Sequence, residues 1–245
     1  MILIIDIGNT QTKIAVFKEE NIQQVHFCPT HIFHERLIEL KNENPNVQTV
    51  VLASVGFLQE NQLEMLKQHF SVVQITSYSP MPFHNAYSTP QTLGIDRRVL
   101  AVGASLQFPN QNVLVIDAGT CITYDFVDEN NNYQGGGISP GIGMRFKSLK
   151  HFTAKLPEIN WEQQTANLIG TSTQESIESG VLNGVIAEID GIIEKYQQKN
   201  PNLKVILTGG DAEYLSKQIK NVIFAHSFFL LESLYSLYKY IQSYD

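Results

Sequence analysis

The sequence predicts a duplicated α/β fold, and three observations lead to it. The first is an internal repeat. An apolar run, Ile2–Ile5, leads into Asp6-Ile-Gly-Asn-Thr10 and on to Lys13–Phe17, and a second run, Val113–Ile116, leads into Asp117-Ala-Gly-Thr120 and on to Cys121–Val127. Aligning Asp6 with Asp117 superposes strand, Asp-x-Gly turn, hydroxyl residue and following strand, and two copies mark a doubled domain rather than a solenoid. The second observation is a later run of the same design, Val205-Ile-Leu-Thr-Gly-Gly-Asp211. The third is helical spacing between such strands: Ile177, Val181, Val185, Ile189, Ile192 and Tyr196 share one helix face.

In chain order, residues 2–17 read as a buried strand, a tight glycine turn and a second strand. Val50–Ser54 is another buried strand, and Leu58–Phe70 an amphipathic helix carrying Leu58, Leu63, Leu66 and Phe70. Residues 76–94, with Pro80, Pro82 and Pro90, form a loop long enough to carry function. Arg98–Leu106 is helical, and Gln107–Asn112 marks a border between an N-terminal domain, 1–112, and a C-terminal domain, 113–245. The glycines from Gly135 to Gly143 favour close backbone approach. A long helix covers 174–196, where Gly180, Gly184 and Gly191 suggest tight packing against a neighbour, and an apolar helix covers 228–243.

Composition narrows the function. The chain has 245 residues, 43% apolar and 17% charged, ordinary for a globular protein. Its net charge of −7 gives no electrostatic drive toward nucleic acid or an anionic membrane. Cys28 and Cys121 are its two cysteines, a poor disulfide framework that fits a reducing compartment. The stretch from Met1 to Asp6 lacks the basic segment and the apolar length of a signal peptide. No run reaches the roughly 18 apolar residues of a spanning helix; the most apolar stretch near the end, Val222–Leu237, is broken by His226 and Glu232. The expectation is a soluble cytoplasmic protein without nucleic-acid or membrane partners.

The repeated turns suit phosphoryl transfer, which needs phosphates held in line, a metal to neutralise them and a base near the attacking hydroxyl. Glycine admits loop amides to a phosphate, Asn9, Thr10 and Thr120 offer short donors, and Asp6 and Asp117 can hold a cation directly or through water. Each turn alone reads equally as a hairpin with a self-capping Asp; the set, with Thr208-Gly-Gly-Asp211, reads as a phosphate scaffold. The Walker-type glycine-lysine loop and a strand-borne Gly-x-Gly-x-x-Gly are both absent from the sequence. His31 and His34 stand three apart without the neighbours zinc needs. His84 reads as a loop residue with a lesser claim on substrate, and Cys121 as a small buried residue.

Asp6-Ile-Gly-Asn-Thr10, Gly94-Ile-Asp-Arg97, Asp117-Ala-Gly-Thr120 and Gly135-Gly-Gly-Ile-Ser-Pro-Gly141 stand in the order and spacing of the type III pantothenate kinases. Tyr87-Ser-Thr-Pro90, Ser148-Leu149 and Thr153-Ala-Lys-Leu-Pro157 add to this resemblance, which runs from residue 2 to about residue 212. It implies duplicated actin/hexokinase-like (ribonuclease H-like) domains with an ATP cleft between them, and ATP-dependent phosphorylation of pantothenate, the first step of coenzyme A synthesis. It implies Asp96 as general base, with pantothenate contacts from Tyr87, Gly94, Ile95, Asp96, Arg97 and Thr173. It implies ATP and phosphate contacts from Asp6, Gly8, Asn9, Thr10, Lys13 and Thr120. Asp6 would orient Mg2+, Asp117 would hold a monovalent cation, K+ or NH4+, and the chain would form a homodimer in which Thr173 reaches the partner's substrate. A plainer role for the hydroxyls at 171–173 is helix capping, since Ser172-Thr-Gln-Glu175 has the capping-box pattern.

Three rivals remain. A regulatory relative could lose Asp96 or Arg97, which this chain keeps. A sugar or carboxylate kinase of the same superfamily would share the phosphate turns but not Gly94–Arg97 with Tyr87. A chaperone-like ATPase would need a peptide-binding extension.

Overall fold

The computed structural model describes residues 1–8, 11–54, 60–221 and 223–243. The first elements are β1 (Ile2–Ile7), β2 (Gln11–Lys18), β3 (Asn21–Pro29), α1 (Phe33–Glu43), β4 (Thr49–Ser54), α2 (Glu60–His69), β5 (Ser71–Gln74), the two-residue strand β6 (His84–Asn85) and α3 (Ile95–Gln107). There follow β7 (Val113–Ala118), β8 (Cys121–Val127), β9 (Asn132–Pro140), α4 (Ile142–Phe152), α5 (Thr173–Lys199), β10 (Lys204–Thr208), α6 (Ala212–Ser216), β11 (Phe224–Ala225) and α7 (Phe229–Gln242). They form two compact units: Met1–Gln107 together with α7, and Phe108–Phe228.

In the first unit the sheet runs β3-β2-β1-β4-β5. β1 pairs antiparallel with β2, and β2 with β3, whereas β4 lies parallel to β1 and β5 parallel to β4. The apolar runs of β1 and β4 are buried, as central strands covered on both faces require. One face packs Leu3, Ile5, Val50 and Leu52 against Phe33, Leu37 and Leu40 of α1 and Leu66 of α2. α3 and α7 also pack closely on each other. A Cβ at Gly103 would stand 2.8 Å from the ring of Phe229 and 2.9 Å from Ser233 Cβ, so glycine lets the two helices approach. The Tyr235 ring stacks on Phe17 at 4.5 Å.

The second unit repeats this plan. Its own strands run in the order β9-β8-β7-β10-β11. β7/β8 and β8/β9 are antiparallel, and β7/β10 and β10/β11 are parallel. Position for position, the pairing matches β3-β2-β1-β4-β5, so the doubled Asp-x-Gly turns belong to a doubled sheet. Leu114, Ile116 and Leu207 meet Ile142 and Phe146 of α4 and Ile177, Val181, Val185 and Ile189 of α5. Behind them, Glu188 of α5 accepts from Tyr124 Oη at 3.1 Å and from Arg145 Nη2 at 2.5 Å, which ties β8, α4 and α5 together.

Two expectations need correction. Residues 228–243 were expected in the C-terminal domain, but α7 packs with the first unit. Its buried residues Phe229, Leu230, Leu231, Leu234 and Leu237 need an apolar partner, and α3 supplies one at Gly103. Tight packing was expected at Gly180, Gly184 and Gly191, yet a Cβ at each meets nothing within 4 Å in the described chain. The expected start of the second helix, Leu58, lies outside the described residues.

Candidate active site

In the first unit, β1 and β2 deliver Asp6, Gly8 and Lys13 to one end of the sheet. Asp6 is 8% exposed and stands opposite Lys13 in register. The Gly8 N–H donates to the Gln11 carbonyl at 3.2 Å and closes the hairpin. A Cβ at Gly8 would sit 2.7 Å from that same oxygen, so the turn needs glycine. Thr30, which sequence reasoning missed, donates its hydroxyl to the Gly8 carbonyl at 2.9 Å and receives that of Thr12 at 3.2 Å. Asn9 and Thr10 lie outside the described residues.

Gly94 and the first turn of α3 carry the Gly94-Ile-Asp-Arg97 sequence. The Asp96 carboxylate accepts the Arg97 N–H at 2.8 Å, and a Cβ at Gly94 would stand 3.6 Å from Asp96 Cγ and overlap its Oδ1. Glycine at 94 is therefore what leaves room for the Asp96 side chain in this pose. Arg97 is buried, with its guanidinium carbon 5.8 Å from the centre of the Tyr87 ring. The structure thus brings Tyr87, Gly94, Ile95, Asp96 and Arg97 to one helix end. Arg98, also missed, is buried beneath the loop of residues 76–94. It donates from Nε to Leu93 O at 3.4 Å, from Nη1 to Ser77 O at 3.2 Å, and from Nη2 to Pro90 O. Consecutive arginines at a helix start were a readable signal: about 100° apart around the axis, they cannot serve the same surface.

In the second unit, Asp117 is the last residue but one of β7 and Thr120 lies exposed in the turn to β8. The Gly119 N–H donates to Cys121 O at 2.9 Å, a hairpin closure that parallels Gly8. Gly141 donates its N–H to Thr120 O at 3.0 Å, and a Cβ there would press within 2.6 Å of the same oxygen. From the other side, Gly209 has a φ of +99°, which only glycine adopts readily, and a Cβ on it would overlap Asp117 Oδ1. Asp211 follows, its N–H on Ala118 O at 2.9 Å. Burial, and then the charge of Asp117, push the Asp211 carboxyl up to about 6.

Within the second unit the crowded Asp117 and Asp211 carboxyl groups are hard oxygen donors of the kind Mg2+ or K+ takes, and crowding between acids is what a cation relieves; in the first unit the buried Asp6 is a donor of the same kind. Among the described residues no cluster of three or more His, Cys, Asp or Glu could hold a metal by itself. A cation held at either place would complete its shell with backbone carbonyls, water and phosphate oxygens.

Thr173 is exposed and opens α5. Ser172 Oγ accepts the Glu175 N–H at 3.2 Å, while Glu175 reaches back to Thr171 N at 2.7 Å and Thr171 Oγ1 at 2.6 Å. The cap is made by Thr171, Ser172 and Glu175. Thr173, which takes no part in the cap, lines a cavity of about 880 Å³ together with Thr171, Ser172, Arg145, Ser148, Leu149 and Leu156. That cavity gathers Ser148-Leu149 and Leu156 of the sequence motifs around Thr173.

Comparison with known proteins identifies the family and the fold. The family model described as type III pantothenate kinase matches residues 2–195. The type III pantothenate kinase of Flavobacterium johnsoniae is 48% identical over 240 residues, 98% of each chain. A crystal structure from Campylobacter jejuni named for the Baf family of transcriptional activators has a TM-score of 0.65 at 22% identity, over 98% of this chain and 99% of that one. A glucokinase from an Antarctic psychrotroph has a TM-score of 0.50 at 15% identity, over 97% and 98%. At such identities the two structures speak for the fold, an actin/hexokinase-like pair of domains. By family match and relatives alike, this chain belongs to the type III pantothenate kinase family.

Proposed function

We infer that Asp96 receives the proton in the reaction that family membership assigns to this chain, the ATP-dependent phosphorylation of pantothenate to 4′-phosphopantothenate, which opens coenzyme A synthesis. The observation that carries the reading is the pairing at the start of α3: a carboxylate held by the Arg97 amide, beside a buried guanidinium faced by the Tyr87 ring. A carboxylate suits a base toward a primary hydroxyl, and a guanidinium suits the carboxylate end of pantothenate. Tyr87, Gly94 and Ile95 shape the acceptor side. Asp6, Gly8, Asn9, Thr10, Lys13 and Thr120 hold the phosphates of ATP.

Asp6 would hold Mg2+ through water and Asp117 a monovalent cation, K+ or NH4+. Such ions, when bound, neutralise charge on the transferring phosphoryl group. α5, whose Gly180, Gly184 and Gly191 have no close neighbour in the described chain, is the proposed homodimer element, with Thr173 reaching the partner's substrate. Among the described residues no helix is long and apolar enough to cross a membrane. A cytoplasmic location without nucleic-acid partners belongs to the same reading.

The test is a pair of acceptors. Pantothenol keeps the reacting hydroxyl and replaces the carboxylate with an alcohol. Coupled ADP release should show kcat/KM for pantothenol lower by about 10–100-fold, the value of a charged hydrogen bond. Arg97→Gln should bring the two acceptors close to parity. A variant that keeps the full preference for pantothenate would remove Arg97 from the carboxylate site.

A companion variant probes Asp96 placement. Gly94→Ala puts a methyl group where the Asp96 carboxylate now rests, against a mobile side-chain end rather than backbone. The fold should survive with little change in melting temperature. kcat should fall by about 100-fold, as misplacement by roughly 1 Å does.

A further inference from the structure

We propose that Arg98 is a positioning residue for the acceptor: its buried guanidinium holds the loop of residues 77–93 in the shape that places Tyr87 beside Arg97. The proposal rests on the reading of Tyr87 and Arg97 as pantothenate contacts. Between Ser77 and Leu93 the backbone has little regular structure, only β6 and a short 3-10 turn at Pro90–Thr92. Its polar groups need partners from elsewhere. Arg98 supplies three at once, to carbonyls at both ends of the loop: Ser77 at the start, Pro90 and Leu93 at the return. Residue 98 is only 6% exposed, so these bonds form largely out of water.

Tyr87 lies between the anchored ends. The turn at Pro90 is braced further, with Thr92 Oγ1 donating to Thr89 O at 3.0 Å and the Tyr87 N–H donating to Asn85 Oδ1 at 3.0 Å. Adjacent residues of one helix thus divide the work. Arg97 faces Tyr87, and Arg98 holds up the chain that carries Tyr87. The three carbonyls are met by three separate nitrogens of one planar guanidinium, a span that a single ammonium nitrogen does not have, so lysine is not a conservative replacement.

The experiment is steady-state kinetics on the full chain with Arg98→Lys and Arg98→Gln, alone and combined with Tyr87→Ala, each checked by thermal melting. Lysine keeps the charge and can serve one carbonyl, so it provides the readout if glutamine fails to fold. Arg98→Lys should raise KM for pantothenate by about tenfold or more while KM for ATP stays within about twofold. On the Tyr87→Ala background the same change should shift KM for pantothenate by less than about twofold, because both act through one ring. An equal rise in both KM values, or effects of Arg98→Lys and Tyr87→Ala that multiply independently, overturns the proposal and leaves Arg98 a general stabiliser. A Tyr87→Ala enzyme that loses pantothenate affinity beside an unaltered Arg98→Lys enzyme overturns the Arg98 role alone. A Tyr87→Ala enzyme unchanged toward pantothenate overturns the acceptor-site reading beneath it.

Discussion

Asp96→Asn is expected to lower pantothenate-dependent ADP release by about 10²–10⁴-fold, the usual contribution of a general base, with the melting temperature nearly unchanged. Asparagine is the informative substitution because of what it preserves. Its side-chain oxygen can still accept the Arg97 N–H that Asp96 now accepts at 2.8 Å, so the start of α3 keeps this hydrogen bond and Gly94 its neighbour. What disappears is a group able to take the proton of the acceptor hydroxyl. Phosphoryl transfer through a loose transition state develops little basicity demand at the nucleophile, which favours the lower end of the range. KM for ATP should not move. Comparing Asp96→Asn with Gly94→Ala separates two effects: the first removes the base in place, the second keeps the base and displaces it. Equal losses in both would mean that position matters as much as basicity. A loss below about tenfold in Asp96→Asn would make Asp96 an orienting group and move proton acceptance elsewhere.

The repeat was legible because apolar runs and glycine turns leave a strong local trace. β1, β2, β7 and β8 follow from Ile2–Phe17 and Val113–Val127, and the repeat marks the two matching strand pairs at the heart of the two sheets. β4, β10, α2, α3, α5 and α7 were also read from apolar runs and helical spacing, but some elements and placements were harder to read for identifiable reasons. β3 is an edge strand whose residues, Asn21-Ile-Gln-Gln-Val-His-Phe-Cys-Pro29, are mostly exposed or half-exposed, so no apolar alternation marks it. β9 carries three consecutive glycines, which suggest a turn and not a strand. α4 buries only Ile142 and Phe146 deeply and shows a weak stripe. The destination of α7 depends on Gly103, a residue that looks like a blemish in its own helix until Phe229 and Ser233 arrive against it. In the candidate site, motif residues such as Asp96 and Asp117 were readable. Thr30 and Arg98 were not singled out as site residues, because their contacts join segments distant in the chain.

The glycines from Gly135 to Gly143 give the sharpest test of the second sheet. Gly136→Ala is expected to cost about 4 kcal/mol or more, read as loss of soluble folded protein or a large fall in melting temperature. A methyl group at 136 would overlap the Tyr124 carbonyl oxygen and stand 2.6 Å from its carbon and 3.3 Å from the Asp125 nitrogen. Those are backbone atoms of β8, which cannot swing aside as a side chain can. Behind them lie the buried Tyr124 ring and Asp125, the latter held by the Tyr133 hydroxyl at 2.7 Å and Thr123 Oγ1 at 2.9 Å. Relief would require β9 to part from β8, breaking the ladder that pairs Asp125 with Gly136 and stranding buried polar groups. The adjacent residue is an internal control. A Cβ at Gly137 meets the Tyr124 ring at 3.5 Å, an ordinary van der Waals contact, so Gly137→Ala should change stability by less than about 1 kcal/mol, or raise it by removing a flexible residue from a strand. The contrast isolates a steric cause from a compositional one, since both variants make the same chemical change one residue apart. Two variants that melt alike would show that β9 does not approach β8 in this register.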